Sequence, residues 1–213
     1  MRLYEKITKA EFSKISMDIC NTLYKECSRF IAESRGNILY RGTTDTGIGH
    51  IGRLQSHEDR KPRNTPQWLH DYLNDLFVAH LGWKERDGVS TIGHESGHYG
   101  TPYLFFPIGD YRFAWSPDVF DIYVALQDIA RKTTKTWRQD VDSLDLNDME
   151  VRKHILSLVN SYKDTNLFRA IMKDMEVVFD CKEYYLVNRV YKDDIKRFIK
   201  TEWIKRKGYR HEA

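Results

Sequence analysis

Short apolar runs that fit β-strands are mixed with amphipathic helical patterns in this chain, without a repeating strand–helix–strand unit. The strand-like runs begin near residues 37, 88, 103, 111, 176 and 183. A parallel sheet needs a crossover helix between successive strands, which this order does not supply. The sequence therefore predicts an α+β fold, in which helices flank a split and mostly antiparallel sheet.

Two of the helical patterns lie at the ends of this sheet region. Residues 10–34 carry apolar side chains at spacings of three and four, which is typical of an amphipathic helix. A last helix is predicted over 193–206, and the sheet core spans about 37–187. Because no linker-like or low-complexity stretch interrupts the chain, residues 1–213 are predicted to form a single domain.

Three local predictions describe the connections. The stretch 43–64 is rich in Gly, Thr, Arg, Asp and His and has no apolar period, which indicates a long basic loop. That loop is either solvated or a lid that meets phosphates or an acidic target. Ser116-Pro117 has the capping residue and first-turn proline that start a helix. The strands near 176 and 183 are so close that we expect a tight hairpin or one bulged strand.

Composition excludes several classes of protein. Apolar residues make up 41% of the 213 residues, which is enough to build a core and argues against disorder. The net charge of +3 is too balanced to indicate nucleic-acid binding by itself. No apolar run has the length of a membrane span, so no membrane partner is expected. The three cysteines have no metal-binding spacing, which favours a reducing, cytoplasmic setting.

An acid pair, Asp174-Met175-Glu176, directly precedes the apolar run Val177-Val178-Phe179. A carboxylate at the start of a strand can hold a sugar hydroxyl and stabilise positive charge that develops on an anomeric carbon. Two other strand-like segments carry polar groups, namely Leu39-Tyr40-Arg41-Gly42 and Val89-Ser90-Thr91.

Arginine, serine and glutamate, each at a strand and in this chain order, resemble the arginine–serine–glutamate clade of ADP-ribosyltransferases. In detail the chain is similar to small transferase-like proteins encoded by bacteriophages. The matching segments are Leu39–Gly42, Arg86 through Thr91, Tyr99-Gly100 with Tyr103–Pro107, Asp174–Phe179 and Tyr184–Val187. The resemblance does not include the N-terminal and C-terminal helices.

The resemblance implies a set of NAD-binding residues. Arg41 would bind a phosphate and ribose of NAD, because a planar and always charged guanidinium suits that task. Gly42 would let the nicotinamide amide approach the backbone. Ser90 and Thr91 would shape the nicotinamide pocket, and Tyr99 would lie near the nicotinamide ring.

The same resemblance implies the catalytic roles. Glu176 would hold the ribose hydroxyl while the bond to nicotinamide breaks, and Ser90 would orient Glu176. Arg41 completes the catalytic set, and Asp174 would help to select the acceptor. Glu183 is an alternative to Glu176 in another register, although Glu176 is preferred because Tyr184-Tyr185 then falls on the following strand.

The function that the resemblance implies is ADP-ribose transfer from NAD to a macromolecule, either a protein or a nucleic acid. NAD is then a substrate, and no metal is expected. Phage origin would place the protein in the host cytoplasm, acting on host factors during host takeover.

Two departures from the family pattern keep an alternative open. Ile92 stands where the Ser-Thr-Ser motif has its third residue, and Asp174 stands where arginine-modifying members have glutamate. The alternative is a binding protein that keeps the transferase fold and has lost the chemistry.

A different alternative is zinc-dependent hydrolysis by His94-Glu95-Ser96-Gly97-His98, which fits H-E-x-x-H. The nearby glycines Gly93, Gly97 and Gly100 disfavour the helix that this motif needs, and Pro102 would end it.

The transferase residues also have ordinary structural interpretations. Arg41 fits a surface ion pair, and Ser90-Thr91 fits the cap of a helix over 92–99. Asp174 and Glu176 fit a solvated helix end.

Overall fold

The structure, a computed structural model, describes residues 7–44, 47–56, 64–94, 100–133 and 140–208. Its α-helices are α1 (Lys9–Glu26), α2 (Ser28–Glu33), α3 (Gln67–Leu81), α4 (Ile122–Thr133), α5 (Met149–Asn160), α6 (Leu167–Met172) and α7 (Lys192–Gly208). Its strands are β1 (Leu39–Thr43), β2 (Ile51–Gln55), β3 (Val89–Thr91), β4 (Thr101–Pro107), β5 (Tyr111–Ala114), β6 (Val177–Cys181) and β7 (Glu183–Asn188). None of the helices within these ranges combines the length and apolarity that crossing a membrane requires.

The strands form two antiparallel sheets, which confirms the predicted α+β class. One sheet has the order β1-β4-β7-β2, and the other has the order β3-β6-β5. A single antiparallel bridge between Tyr40 and Ile92 connects the two sheets. Tyr40 N donates to Ile92 O at 2.8 Å, and Ile92 N donates to Tyr40 O at 2.9 Å. Because Tyr40 is on β1 and Ile92 directly follows β3, this bridge joins the edge strands of the two sheets.

Neither alternative predicted for residues 176–187, a tight hairpin or one bulged strand, describes the structure, because the two strands belong to different sheets. β6 pairs with β3 and β5, whereas β7 pairs with β4 and β2. The chain therefore leaves one sheet at Cys181 and enters the other at Glu183, with a bend at Lys182 between them. The short separation of the two strands in the sequence made them look like partners, but each belongs to a different sheet.

The predicted long loop over 43–64 is also wrong in part, because it contains β2. This strand has a mixed pattern of exposure and lies at the edge of its sheet. Arg53 and Gly52 conceal it in the sequence, since an edge strand needs only one partner and tolerates polar side chains. Residues 57–63 of the basic stretch lie outside the described part of the chain.

Two helix boundaries differ from the sequence prediction. The helix predicted over 10–34 is two helices, separated at Cys27. The helix predicted to start at Ser116-Pro117 starts instead at Ile122, where Asp121 Oδ1 accepts from Tyr123 N and Val124 N. Ser116 caps only a local turn, since its Oγ accepts from Asp118 N.

Two apolar clusters lie on the two faces of the β3-β6-β5 sheet. Val177 and Phe179 of β6 belong to the cluster shared with α1, α2 and the other sheet, and Val178 belongs to the cluster built from α3, α4 and α5. This alternation follows from the two-residue period of a strand. Because both faces are covered, the strand that follows Glu176 is fixed in position along its whole length.

Candidate active site

The site lies where β1, β3 and the start of β6 meet. Thr91 is paired with Val177, and Ser90 with Val178, so β3 runs beside the beginning of β6. Glu176 directly precedes Val177 and is therefore at the end of this ladder. The Tyr40–Ile92 bridge brings β1, and with it Arg41, to the same place.

Arg41, Ser90 and Glu176 are joined by hydrogen bonds in this structure. Arg41 Nη1 donates to Ser90 O at 3.0 Å. Ser90 Oγ donates to Glu176 Oε1 at 2.5 Å. A short O–H···O bond of this kind is typical of a hydroxyl that donates to an ionised carboxylate. Three residues that lie far apart in the sequence are thus held as one unit.

The second oxygen of Glu176 is held by the start of α4. Ile122 N donates to Glu176 Oε2 at 3.2 Å, and Ile122 is the first residue of that helix. The backbone nitrogen of Glu176 itself donates to Phe120 O at 3.2 Å. The carboxylate is therefore oriented on both oxygens, and the positive end of the α4 dipole favours its charged form.

Burial and neighbouring charges act on Glu176 in opposite directions. Its pKa is raised, chiefly because burial disfavours the charged form, and the anion of Asp121 adds to this effect. Arg86 and the hydrogen bonds from Ser90 and Ile122 lower the pKa. By surface area Glu176 is only part-buried, so it stays reachable while its surroundings desolvate it. A carboxylate with a raised pKa next to specific partners is a common property of functional sites.

Arg41 remains partly exposed on β1. Its guanidinium carbon is 5.8 Å from the centre of the Tyr184 ring on β7, and in the β1–β4 ladder Arg41 is opposite Tyr103. Gly42 follows it and is opposite Pro102. The bond to Ser90 O uses one of the five N–H groups that an arginine carries, so the guanidinium can bind an anion as well.

Thr91 and Asp174 differ in what they present to solvent. Thr91 is buried, and its hydroxyl donates to Val177 O at 2.7 Å, which ties β3 to β6. Asp174 is exposed and has a left-handed backbone with φ of 55°. A Cβ added to Gly93 would lie 2.7 Å from Asp174 Oδ1, so Asp174 is next to the segment that follows β3. Tyr99 lies outside the described residues.

The ordinary interpretations of Ser90, Thr91 and Glu176 do not describe what the structure has, whereas Asp174 is exposed just after α6, as the solvated helix end predicted for it would be. Ser90 and Thr91 are strand residues of β3, not a helix cap. Glu176 is not a solvated helix end, because both of its oxygens accept hydrogen bonds from the protein.

Glu183 is at a different place from this site. It pairs with Arg53, with Arg53 Nε 3.0 Å from Oε1 and Nη2 2.6 Å from Oε2. The whole of β6 separates Glu183 from Glu176, on the order of 16 Å of extended chain. Glu176 is thus beside Ser90 whereas Glu183 is not, and Tyr184 and Tyr185 lie on the following strand, β7.

Little of the zinc motif lies within the described residues. His94 is exposed and stacks on Phe120, with ring centres 6.0 Å apart, whereas Glu95 and His98 are outside the described ranges. Across residues 7–44, 47–56, 64–94, 100–133 and 140–208, no three His, Cys, Asp or Glu side chains are grouped as metal ligands.

Sequence reasoning gave no role to the groups that surround Glu176. Arg86, Asp121 and Tyr162 all act electrostatically on it or on one another. Asp121 had a usable signal, since an aspartate just before an amphipathic run is a good N-cap. Arg86 and Tyr162 had none, because only the tertiary fold brings them to Glu176.

A separate cleft of about 370 Å³ lies at the opposite end of the β3–β6 ladder. Its lining includes Trp83, Lys84, Gly88, Arg112 and Asp180. Arg112 Nε donates to Asp180 Oδ2 at 2.8 Å, so these two charged groups already neutralise each other. We place the candidate site at Glu176 because its carboxylate is oriented and desolvated, whereas Arg112 and Asp180 in the cleft are paired with each other.

No protein-family model matches the chain, and no curated protein or solved structure matches it either. The geometry of the site is therefore what indicates a function for this protein.

Proposed function

We propose that this protein is an NAD-dependent ADP-ribosyltransferase of the arginine–serine–glutamate type, with a protein or nucleic acid as the acceptor. The observation that carries the proposal is the continuous hydrogen-bonded path from Arg41 through Ser90 to Glu176. The sequence resemblance requires these three residues to meet, and nothing in their spacing along the chain makes them do so.

The chemical groups of Arg41, Gly42 and Glu176 suit NAD as a substrate. Arg41 supplies a partly exposed guanidinium, which suits a pyrophosphate oxygen. Gly42 supplies a main chain without a side chain beside it, which suits a close approach by the carboxamide. Glu176 is the anion of the site and is oriented by Ser90 and Ile122.

Glu176 would act on the ribose next to nicotinamide. As the glycosidic bond breaks, nicotinamide leaves with the bonding electron pair, and positive charge develops on the ribose C1′ and its ring oxygen. An ionised carboxylate at a ribose hydroxyl stabilises that charge more in the transition state than in the ground state. A nucleophilic oxygen or nitrogen of the acceptor then bonds to C1′ and loses its proton to solvent or a base, and water in the same role gives NAD hydrolysis.

Ile92 does not disrupt this arrangement. The hydrogen bonds that join it to Tyr40 are made by its main chain, which any residue except proline can provide. Its side chain packs against the larger apolar cluster. The geometry that holds Ser90 next to Glu176 is therefore kept without a third hydroxyl, and this favours an active enzyme over the silent binding protein.

The experiment is incubation with labelled NAD and cell extract, with and without a chelator. Label transfer that survives chelation and disappears in Glu176→Gln supports the proposal. Transfer that is unchanged in Glu176→Gln contradicts it, and so does a complete lack of both transfer and NAD hydrolysis. Proteolysis that the chelator abolishes would support the zinc alternative.

A further inference from the structure

Phe120 is exposed although it belongs to the segment that holds Glu176. Its carbonyl oxygen accepts from Glu176 N at 3.2 Å, and two residues later Ile122 N donates to Glu176 Oε2. The Phe120 side chain is nevertheless 50% exposed. A single exposed apolar side chain is ordinary in a folded protein, so the neighbours of Phe120 decide whether it has a use.

The ring of His94 stacks on the ring of Phe120. Their centres are 6.0 Å apart, and their planes differ by 20°. His94 is exposed and follows Ser90 by four residues, so it belongs to the segment that continues from β3. Because Ser90 bonds to Glu176 and Phe120 bonds to its backbone, the two stacked rings lie at one edge of the candidate site.

Two more exposed apolar side chains flank this ring pair. Val124 is in the first turn of α4, a few residues after Phe120, and is 49% exposed. Met172 ends α6 and is 61% exposed. The segment after β3 touches this end of α6, since a Cβ added to Gly93 would lie 2.6 Å from Ile171 O. We call the group of His94, Phe120, Val124 and Met172 the apolar rim.

Carboxylates outnumber cations around the apolar rim. The acidic side chains in these segments are Asp118, Asp121, Asp174 and Glu176. The cations are Lys173, which is exposed next to Met172, and Arg41 inside the site. A nucleic acid carries a negative charge on every phosphate and would be repelled here, whereas a basic protein side chain would be attracted. A cation can also lie over the exposed face of the Phe120 ring.

We propose that the apolar rim is the docking surface for the acceptor, and that the acceptor is a protein whose docking segment places a basic side chain beside apolar ones. Aromatic and methionine side chains are common in the centres of protein–protein interfaces, which fits Phe120 and Met172. The use of the rim in ADP-ribose transfer rests on the function proposed above, but the binding of a basic, apolar segment does not.

Binding is tested on the full chain without NAD, by NMR of labelled valine and methionine methyl groups. One probe is a short capped peptide of alternating leucine and arginine, and the other is a deoxythymidine oligonucleotide of similar length. We expect the peptide to shift the signals of Val124 and Met172. Val78 on α3 and Met149 on α5 are the matched reporters, because both are exposed on other elements and should not respond.

Phe120→Ser should weaken binding of the peptide at least about fivefold, because the ring contributes the largest apolar surface of the rim. Met172→Ser serves the same purpose if Phe120→Ser does not fold. An oligonucleotide that shifts the Val124 and Met172 signals when the peptide does not would indicate a nucleic-acid acceptor and overturn the inference. Equal shifts at Val78 and Met149, or no shift at the rim with the peptide, would also overturn it.

The ratio of label transfer to NAD hydrolysis tests the use of the rim by the enzyme. We expect this ratio to fall at least about fivefold in Val124→Ser and Met172→Ser and to stay near the wild-type value in Val78→Ser and Met149→Ser. Protease should release the transferred label, and release by nuclease alone would overturn the inference. If wild-type protein neither transfers ADP-ribose nor hydrolyses NAD, the proposed function fails, while the methyl NMR still decides whether the rim binds such a segment.

Discussion

Ser90 Oγ donates to Glu176 Oε1 at 2.5 Å, and this bond links β3 to the residue that directly precedes β6. The two residues are 86 positions apart in the chain, so the contact exists only because β3 and β6 pair in the observed register. A slip of one residue would turn Ser90 to the other face of the sheet.

Glu176→Gln removes the charge of the carboxylate and keeps its size. We expect NAD cleavage to fall by a factor of about 10² or more, because the neutral amide cannot stabilise the developing cation. NAD affinity, measured by calorimetry, should change little. Glu183→Gln is the matched control, since Glu183 pairs with Arg53 beyond the far end of β6. NAD cleavage by this variant should stay near the wild-type rate.

Ser90→Ala removes a hydrogen bond that lowers the pKa of Glu176. With that bond lost, the carboxyl binds its proton more tightly, so the acidic limb of the pH–rate profile for NAD cleavage should move to higher pH. The rate at pH 7 should fall roughly tenfold, which corresponds to about 1.4 kcal/mol. Ser143→Ala, in the 3₁₀ turn Val141–Ser143, is the control. An equal shift of the pH–rate profile in Ser143→Ala would contradict the role of Ser90 at Glu176.

Sequence patterns were sufficient to predict the helices and strands that are strongly periodic or buried. β4 and β6 were evident from their apolar runs, and the last helix was placed close to α7. β2 was missed because it is an edge strand that carries Arg53 and two other polar or small residues. Which strands pair was not predictable either, because β6 and β7 are adjacent in the chain but belong to different sheets.

The candidate site was predictable only as separate residues. Arg41, Ser90 and Glu176 were singled out by chain order, and the structure brings them together. Asn74 of α3 holds the turn before β3 by accepting from Arg86 N, and that contact leaves no mark in the local sequence.

Asp174→Asn tests the assignment of Asp174 to the acceptor. Asparagine tolerates the left-handed backbone at this position, so the substitution removes the charge without new strain. We expect transfer to the acceptor to fall tenfold or more, about 1.4 kcal/mol, while NAD hydrolysis changes by less than about twofold. Asp75→Asn on the exposed side of α3 is the control, and parallel losses of transfer and hydrolysis in Asp174→Asn would argue against a separate acceptor role.

Gly93→Ala tests how tightly the segment after β3 packs against Ile171 and Asp174. The added Cβ would lie 2.6 Å from Ile171 O and 2.7 Å from Asp174 Oδ1, and the first of these is backbone that cannot rotate away. We expect the free energy of unfolding in urea to fall by about 1–3 kcal/mol. Gly49→Ala is the matched control, because a Cβ there has no neighbour within 4 Å. Equal stability of the two variants would show that the backbone around Gly93 shifts to accommodate the added methyl group without a measurable cost.

Glu176→Gln should also make the protein more stable at neutral pH while it lowers activity. Burial raises the pKa of Glu176 in the folded state, so the folded protein binds this proton more tightly than the unfolded chain does. Wild-type stability therefore decreases as pH rises from the unfolded pKa through the folded one. Glutamine does not titrate and lacks that decrease.

The difference in unfolding free energy between Glu176→Gln and wild type should thus grow with pH across that window and level off above it. Urea unfolding at a series of pH values between 4 and 8 measures the difference, with Glu183→Gln as control. The pKa of Glu183 is lowered by Arg53, so its pH dependence must have the opposite sign. A gain in Glu176→Gln that does not vary with pH would show that burial of the charge is not its cause.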